Sequence, residues 1–104
     1  MSTAWHWRTA QEIRDAVRGG AATAAEVTEA HFERIDAVDG DVGAYTQVWK
    51  ETALAQAGAI DEAVAAGKDP GPLAGVPVSL KEVLCTRTGK TTCASRMLED
   101  FHSP

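Results

Sequence analysis

The sequence predicts an α/β fold in which helices pack on the beginning of a mixed sheet. Three observations lead to this prediction: two capping motifs that open helices, a third segment with helical periodicity, and two β-prone runs at 44–49 and 73–84. Two strands with little apolar cover do not form a stable sheet by themselves. We therefore expect the 104 residues to form one incomplete domain, with a helical N-terminal region at 1–69 and the start of a core at 70–104.

The first two helices are predicted by the same N-terminal signal. Thr9-Ala-Gln-Glu12 and Thr23-Ala-Ala-Glu26 both match the capping box, in which the threonine oxygen accepts from the third helical amide and the glutamate accepts from the cap amide. The first helix is expected to end at Gly19-Gly20, because glycine commonly follows the last helical residue. The second is expected to end near Asp39-Gly40.

A strand, a third helix and a hinge are predicted next. Ala44-Tyr-Thr-Gln-Val-Trp49 is a short β-prone run. Between residues 51 and 66, apolar residues recur at helical spacing, and Gly67 closes the segment. The hinge is Lys68-Asp-Pro-Gly-Pro72, because its two prolines cannot continue a helix.

The last third of the chain is predicted to hold a buried strand. Residues 73–84 are apolar and β-branched, and the strand is expected to be entered through Gly75. Residues 85–104 mix threonine, glycine and serine, with one short helical possibility at 95–100.

Composition and charge exclude several classes of protein. The net charge is −5, which argues against a nucleic-acid-binding domain that uses its own basic patch. The N-terminus lacks the basic and apolar regions of a signal peptide. No apolar run approaches the roughly 20 residues that span a bilayer, so no membrane association is expected. These features predict a cytoplasmic protein.

Cysteine, tryptophan and histidine residues are expected to have structural roles. Cys85 and Cys93 are eight positions apart with no accompanying histidine pair, which does not fit a zinc site and predicts two reduced, buried thiols. Trp5 and Trp7 are expected to pack in the core. His31 is expected at the surface or at the edge of the core.

Lys81 is the residue most suggestive of chemistry. In a strand it would share one face with Ser79, within an otherwise apolar segment. Burial favours the neutral amine, which can accept a proton from the hydroxyl of a nucleophilic serine. The alternative is a lysine at the end of a strand whose ammonium extends into water. The residue pattern by itself leaves both interpretations open.

The surrounding sequence resembles the amidase signature family. The family pattern Gly-Pro-Leu-x-Gly-[Ile/Val]-Pro-Val-x-[Ile/Leu]-Lys-[Asp/Glu] is similar to Gly71-Pro-Leu-Ala-Gly-Val-Pro-Val-Ser-Leu-Lys-Glu82, and its lysine falls on Lys81. Within the family, Thr91-Thr-Cys-Ala-Ser-Arg-Met-Leu98 is most similar to the A subunits of aspartyl/glutamyl-tRNA amidotransferases. The resemblance is specific from Gly71 to Phe101 and looser before it.

The resemblance implies a Ser–cis-Ser–Lys site with Lys81 as the catalytic base. In the family the two serines lie in a Gly/Ser-rich segment that nothing here matches, so Ser79, Ser95 and Ser103 receive no catalytic role. We therefore expect an N-terminal fragment that is inactive by itself.

The resemblance also implies a reaction and its partners. The intact enzyme would release ammonia from glutamine, and the B and C subunits would use it to transamidate Glu-tRNA(Gln) or Asp-tRNA(Asn). No cofactor is expected on this chain, because ATP and magnesium would be used through a partner subunit. The alternatives are an amidase of the same family that acts on small amides, or a non-enzymatic fragment that binds a partner.

Overall fold

The computed structural model describes residues 4–104, and its regular structure is helical. A 3-10 helix at Trp5–Trp7 is followed by α1 (Ala10–Arg18), α2 (Ala24–Val42) and α3 (Lys50–Ala65), and a second 3-10 helix lies at Arg96–Leu98. The three long helices and the short C-terminal one confirm the predictions of helix. Residues 4–104 contain no β-strand, so the α/β sheet is not confirmed.

Both predicted capping boxes are present. In α1, the Glu12 amide donates to Thr9 Oγ1 at 3.1 Å, and the Thr9 amide donates to the Glu12 carboxylate at 2.9 Å. The Thr23 and Glu26 pair repeats both contacts in α2, at 3.0 and 3.1 Å. Each pair satisfies amides that have no partner within the helix, so the sequence motifs fix where the two helices begin.

The second helix is longer than predicted. It continues through Gly40 to Val42 and ends at Gly43, which has φ +68°. A glycine inside a helix costs only about 1 kcal/mol relative to alanine, whereas a left-handed glycine terminates one. Gly43 therefore ends α2, and the predicted end at Asp39-Gly40 was wrong by three residues.

The core is small and consists mostly of alanine and valine. Ile13 and Val17 of α1 belong to the same buried cluster as Val27 of α2, and all three are at most 2% exposed. The other buried apolar residues are Ala22, Ala24, Ala57 and Ala74. Because alanine contributes little buried area, contacts beyond apolar packing carry much of the tertiary specificity.

One such contact joins α3 to the beginning of α2. The Asp61 carboxylate accepts from the Ala24 amide at 2.6 Å and from the Ala25 amide at 3.1 Å. Together with the capping box, this carboxylate satisfies further amides in the first turn of α2. A negative charge at a helix N-terminus is also favoured by the helix dipole.

The hinge and the segment after it pack on α1 through a glycine. Gly75 has φ +74°, and a Cβ atom at this position would lie 2.6 Å from Val17 Cγ2. Arg18 secures the same region, because its guanidinium donates to Asp69 at 3.0 Å and to the Gly71 carbonyl at 2.8 Å. These contacts hold residues 69–75 against the end of α1.

The two predicted strands are not present. Residues 44–49 are an irregular linker with a bend at Thr46, and residues 73–84 consist of turns and irregular chain. Val78 and Leu80 are 66% and 50% exposed, so the expected burial of this segment was also wrong. A strand needs neighbours that pair with its backbone and cover its faces, and residues 4–104 place none beside this segment.

Several smaller predictions have mixed outcomes. Cys85 and Cys93 are exposed free thiols, so their predicted burial was wrong. Trp5 packs against the core, whereas Trp7 is 76% exposed. His31 is half-buried, as predicted, with Nδ1 2.7 Å from the Val27 carbonyl oxygen. Over residues 4–104, no helix combines the length and the apolarity needed to cross a membrane.

Candidate functional site

Lys81 lies in an exposed turn. Its carbonyl accepts from the Leu84 amide at 3.0 Å, so Lys81 is the first residue of the turn and Glu82 is the second. The side chain of Lys81 is exposed, and within residues 4–104 its ammonium forms no ion pair. The predicted position in a buried strand was wrong, and the desolvation that favours a neutral amine is not provided by these residues.

A short polar segment between α2 and α3 contacts both sides of Lys81. This segment, residues 45–47, carries three polar side chains. The Tyr45 hydroxyl shares a hydrogen bond of 2.6 Å with Ser79 Oγ, two residues before Lys81. Thr46 Oγ1 donates to Glu82 Oε2 at 2.5 Å, one residue after it.

Glu82 is the centre of this contact. Its Oε1 atom accepts from Gln47 Nε2 at 3.1 Å and also from Thr92 Oγ1. The hydrogen bond from Thr46, followed by that from Thr92, lowers the pKa of the Glu82 carboxyl below its ordinary value of 4.5. The donors stabilise the charged form, so Glu82 is present as a carboxylate at neutral pH.

Gln47 extends the contact to the following loop. Its side-chain amide donates to the Lys90 carbonyl at 2.7 Å and accepts from the Lys90 amide at 2.7 Å. Gly89 makes this approach possible, because a Cβ atom there would lie 2.4 Å from Trp49 Nε1 and 2.6 Å from Gln47 Oε1. One glutamine thus joins the Lys81 turn to residues 89–92.

The end of α2 positions the 45–47 segment. Asp39 Oδ1 accepts from the Ala44 amide at 2.7 Å, and Oδ2 accepts from the Tyr45 amide at 3.3 Å. The left-handed Gly43 turns the chain at the same point. The segment therefore leaves α2 in a fixed direction, toward Ser79 and Glu82.

Ser79, Ser95 and Ser103, which were given no catalytic role from the sequence, lie in different surroundings. Ser95 Oγ accepts from the Met97 amide at 3.3 Å, which caps the short C-terminal helix. Ser103 is half-buried near the end of the chain. Ser79 is near Lys81 in sequence, but its hydroxyl is bonded to Tyr45.

The described part of the chain shows no cluster of metal-ligating side chains. Residues 4–104 contain no cluster of three or more histidine, cysteine, aspartate or glutamate side chains that could hold a metal ion. One surface depression is lined by residues 48–52 with Thr88, and another is lined by Arg18, Val64 and residues 67–70. Neither depression is lined by Lys81.

Thr46, Gln47 and Thr92 were not predicted from the sequence as parts of a site. Residues 44–49 were expected to form a strand because aromatic and β-branched residues predominate there. A usable signal was present, since Tyr45, Thr46 and Gln47 place three hydrogen-bonding side chains in succession. Such a run favours a linker that binds other parts of the chain over a half-buried strand with alternating apolar residues.

Comparison of the sequence with known proteins identifies its family. The sequence model of the family described as Amidase matches residues 26–104, which include the 45–47 segment and Lys81. No solved structure matches the chain.

Curated relatives are similar along most of the chain. The A subunit of glutamyl-tRNA(Gln) amidotransferase from Synechococcus sp. strain RCC307 is 51% identical over 86% of the chain, which corresponds to 19% of that protein. Its counterpart in Corynebacterium jeikeium is 45% identical over 98% of the chain and 20% of its own length. The counterpart in Streptomyces avermitilis is 50% identical over 92% and 19%. The chain thus spans about a fifth of the length of these relatives, and it belongs to the amidase family.

Proposed function

We propose that these residues are part of the glutamine-hydrolysing subunit of a tRNA-dependent amidotransferase, with Lys81 as its catalytic base. The observation that carries the proposal is the 41–51% identity to relatives named as A subunits of glutamyl-tRNA(Gln) amidotransferase. A family match alone would equally fit an amidase that acts on small amides. The names of the relatives favour the tRNA-linked reaction.

The proposed chemistry is acyl transfer from a carboxamide. The neutral amine of Lys81 accepts a proton from a bridging serine, which accepts one from the nucleophilic serine. That serine oxygen bonds to the glutamine side-chain carbonyl carbon, the C–N bond breaks, and ammonia leaves after gaining a proton. Water then hydrolyses the ester to glutamate and restores the serine.

We expect the bridging and nucleophilic serines outside residues 1–104, in a polypeptide as long as the relatives. Residues 1–104 contain no Gly/Ser-rich segment with paired serines, so we expect them to lack glutaminase activity when produced alone. The same additional residues would cover Lys81. Coverage would supply the desolvation that favours its neutral form.

The sequence pattern of residues 73–84 supports this coverage. The exposed apolar side chains there include Leu73, Val78, Leu80, Val83 and Leu84. An exposed β-prone segment with apolar side chains is a ready partner for another strand. We propose that residues 76–80, which precede the turn at Lys81, become a strand of the predicted α/β sheet when the additional residues are present.

The partners follow from the proposed reaction. Ammonia released at this site would pass to the B and C subunits, which would transamidate Glu-tRNA(Gln) or Asp-tRNA(Asn) with ATP and magnesium. This chain would bind glutamine as part of the full-length polypeptide and would contact tRNA only through the complex.

Replacing Lys81 tests the proposed role directly. In a polypeptide of the relatives' length that carries these 104 residues, Lys81→Ala should lower glutamine-dependent ammonia release by about 10³-fold or more, as expected for a residue of a catalytic relay. Ammonia release is measured from glutamine with and without Glu-tRNA(Gln). Because Lys81 lies outside the helices and forms none of their caps, the substitution should leave the circular dichroism spectrum unchanged.

Lys68→Ala is the matched control. Lys68 is also exposed, and it is the first residue of the hinge. Its replacement should leave ammonia release within about twofold, because a solvated surface lysine makes little specific contribution. Undiminished turnover by Lys81→Ala would end the assignment of Lys81. An unsubstituted polypeptide that hydrolyses small amides but not glutamine would establish the alternative reaction.

A further inference from the structure

We infer that residues 45–47 and Glu82 form a clamp that positions Lys81. The inference rests on the proposed role of Lys81 and concerns residues that do not touch substrate. The clamp consists of the Tyr45–Ser79 hydrogen bond on one side of Lys81 and the Glu82 hydrogen bonds on the other. These are positioning residues, because they act on the backbone that carries Lys81.

The contacts enclose Lys81 within four residues of chain. Ser79 is held through its hydroxyl, and Glu82 is held through both carboxylate oxygens. The Lys81 carbonyl is fixed as well, by the Leu84 amide. With attachments on both sides, the backbone at Lys81 cannot shift without breaking at least one of these hydrogen bonds.

The clamp is joined to the helices and is not a local loop contact. The 45–47 segment is fixed to the end of α2 by Asp39 and leads directly into α3, which begins at Lys50. Glu82 is 35 and 36 residues away from Gln47 and Thr46 in sequence. Lys81 is therefore placed relative to the helical region, even though it lies outside the helices themselves.

Thr91 and Thr92 also hold the turn that carries Lys81, through contacts with Leu84 and Glu82. Thr92 donates to Glu82 Oε1, and Thr91, which is 3% exposed, donates through Oγ1 to the Leu84 carbonyl at 3.3 Å. Cys93 and Ala94, which follow, have φ values of +51° and +56°. Non-glycine residues in this region are strained, and such strain persists only where the surrounding contacts impose it.

Positioning matters for a lysine that acts as a base. Its long side chain is flexible, and a misplacement of about 1 Å can lower the rate about 100-fold. A substrate-binding role would alter KM, whereas a positioning role lowers kcat and leaves KM for glutamine nearly unchanged.

Glu82→Ala and Glu82→Gln separate the hydrogen bonds from the charge. Glu82→Ala removes every acceptor. The amide of Glu82→Gln keeps one oxygen for Gln47 and Thr92, and its nitrogen can donate to Thr46 Oγ1 if that hydroxyl rotates. In the polypeptide described above, we expect Glu82→Ala to lower kcat by about 10–100-fold and Glu82→Gln to stay within about threefold of the unsubstituted protein.

A second measurement reports the clamp without activity. The Lys90 amide donates a hydrogen bond to the Gln47 side chain, and its hydrogen exchange reports local opening of this contact. The exchange should accelerate about tenfold in Glu82→Ala and remain near the original rate in Glu82→Gln. Glu51→Gln, an exposed acidic residue on α3, is the control and should change neither quantity.

Three outcomes decide the matter. Loss of kcat and faster exchange in Glu82→Ala, with recovery of both in Glu82→Gln, support the clamp. Equal loss in both variants overturns it and assigns the effect to the charge of Glu82. Unchanged kcat in Glu82→Ala also overturns the clamp, while loss of activity in Lys81→Ala still upholds the proposed function.

Discussion

Residues 10–65 and residues 73–104 are stabilised by different kinds of interaction. The first region consists of three helices, and nearby side chains fix the beginnings of α1 and α2 through capping boxes. The second has one short 3-10 helix and is held by contacts over long sequence separations, such as those of Glu82 with Thr46 and Gln47. A region whose contacts are local can be predicted from a short window of sequence, whereas one that depends on distant contacts cannot.

The junction between the two regions gives the largest expected effect. Gly75→Ala would bring a methyl group 2.6 Å from Val17 Cγ2 and would strain a backbone with φ +74°. Overpacking and the left-handed backbone together should lower the free energy of unfolding by about 2–4 kcal/mol. The measurement is urea unfolding of the 104-residue chain, followed by circular dichroism at 222 nm.

Gly20→Ala is the matched control for backbone strain alone. Gly20 has φ +76°, and a Cβ atom there would have no neighbour within 4 Å. Its replacement should cost only about 1–2 kcal/mol. Measured in a Val17→Ala background, which lacks the clashing Cγ atoms, Gly75→Ala should cost little more than Gly20→Ala. If the two glycine variants are equally destabilised, Gly75 does not pack closely on α1.

The helical region was predictable because its signals lie within a few residues. Thr9 and Thr23 marked the two helix starts correctly, and the periodic alanine and valine residues marked α3. The end of α2 was missed because Gly40 and Gly43 both resemble helix ends in sequence. Only the left-handed conformation of Gly43 distinguishes them.

The segment around Lys81 was only partly predictable. The motif that ends in Lys81 and Glu82 identified the family, and the family match covers those residues. Their conformation was not predictable, since a β-prone pattern specifies a strand only when partner strands are available. The same limit explains Cys85 and Cys93, which are exposed although free cysteine is usually buried.

A smaller effect is expected for the contact that joins two helices of the first region. Asp61→Ala leaves the Ala24 and Ala25 amides without their carboxylate partner in a partly buried position. Losing this cap should lower the free energy of unfolding by about 1–2 kcal/mol. Urea unfolding measures the change.

Glu62→Ala is the control for the loss of one negative charge from α3. Glu62 is exposed, and its replacement should change the free energy of unfolding by less than about 0.5 kcal/mol. A comparable loss in both variants would show that the charge of α3, and not the cap on α2, accounts for the effect. The contact of Asp61 with the start of α2 would then not count as a stabilising long-range contact of the helical region. The helices would depend even more on local contacts than residues 73–104 do.

The smallest effect concerns the ionisation of Glu82, whose long-range hydrogen bonds are typical of residues 73–104. Because its folded pKa lies below 4.5, Glu82 contributes stability that is present above pH 4.5 and is lost as the pH falls through the folded pKa. Titration of its side-chain carboxyl carbon by NMR should therefore give a midpoint below 4.5.

Thr46→Val removes the hydrogen bond that lowers the pKa of Glu82 most, so it should raise the titration midpoint. Thr92→Val should raise the midpoint less. Thr88→Val is the control, since within residues 4–104 the Thr88 hydroxyl does not contact Glu82. An unshifted midpoint in Thr46→Val would mean that Thr46 does not hold Glu82, and the contacts of Gln47 would then be the link between this part of the chain and the helices.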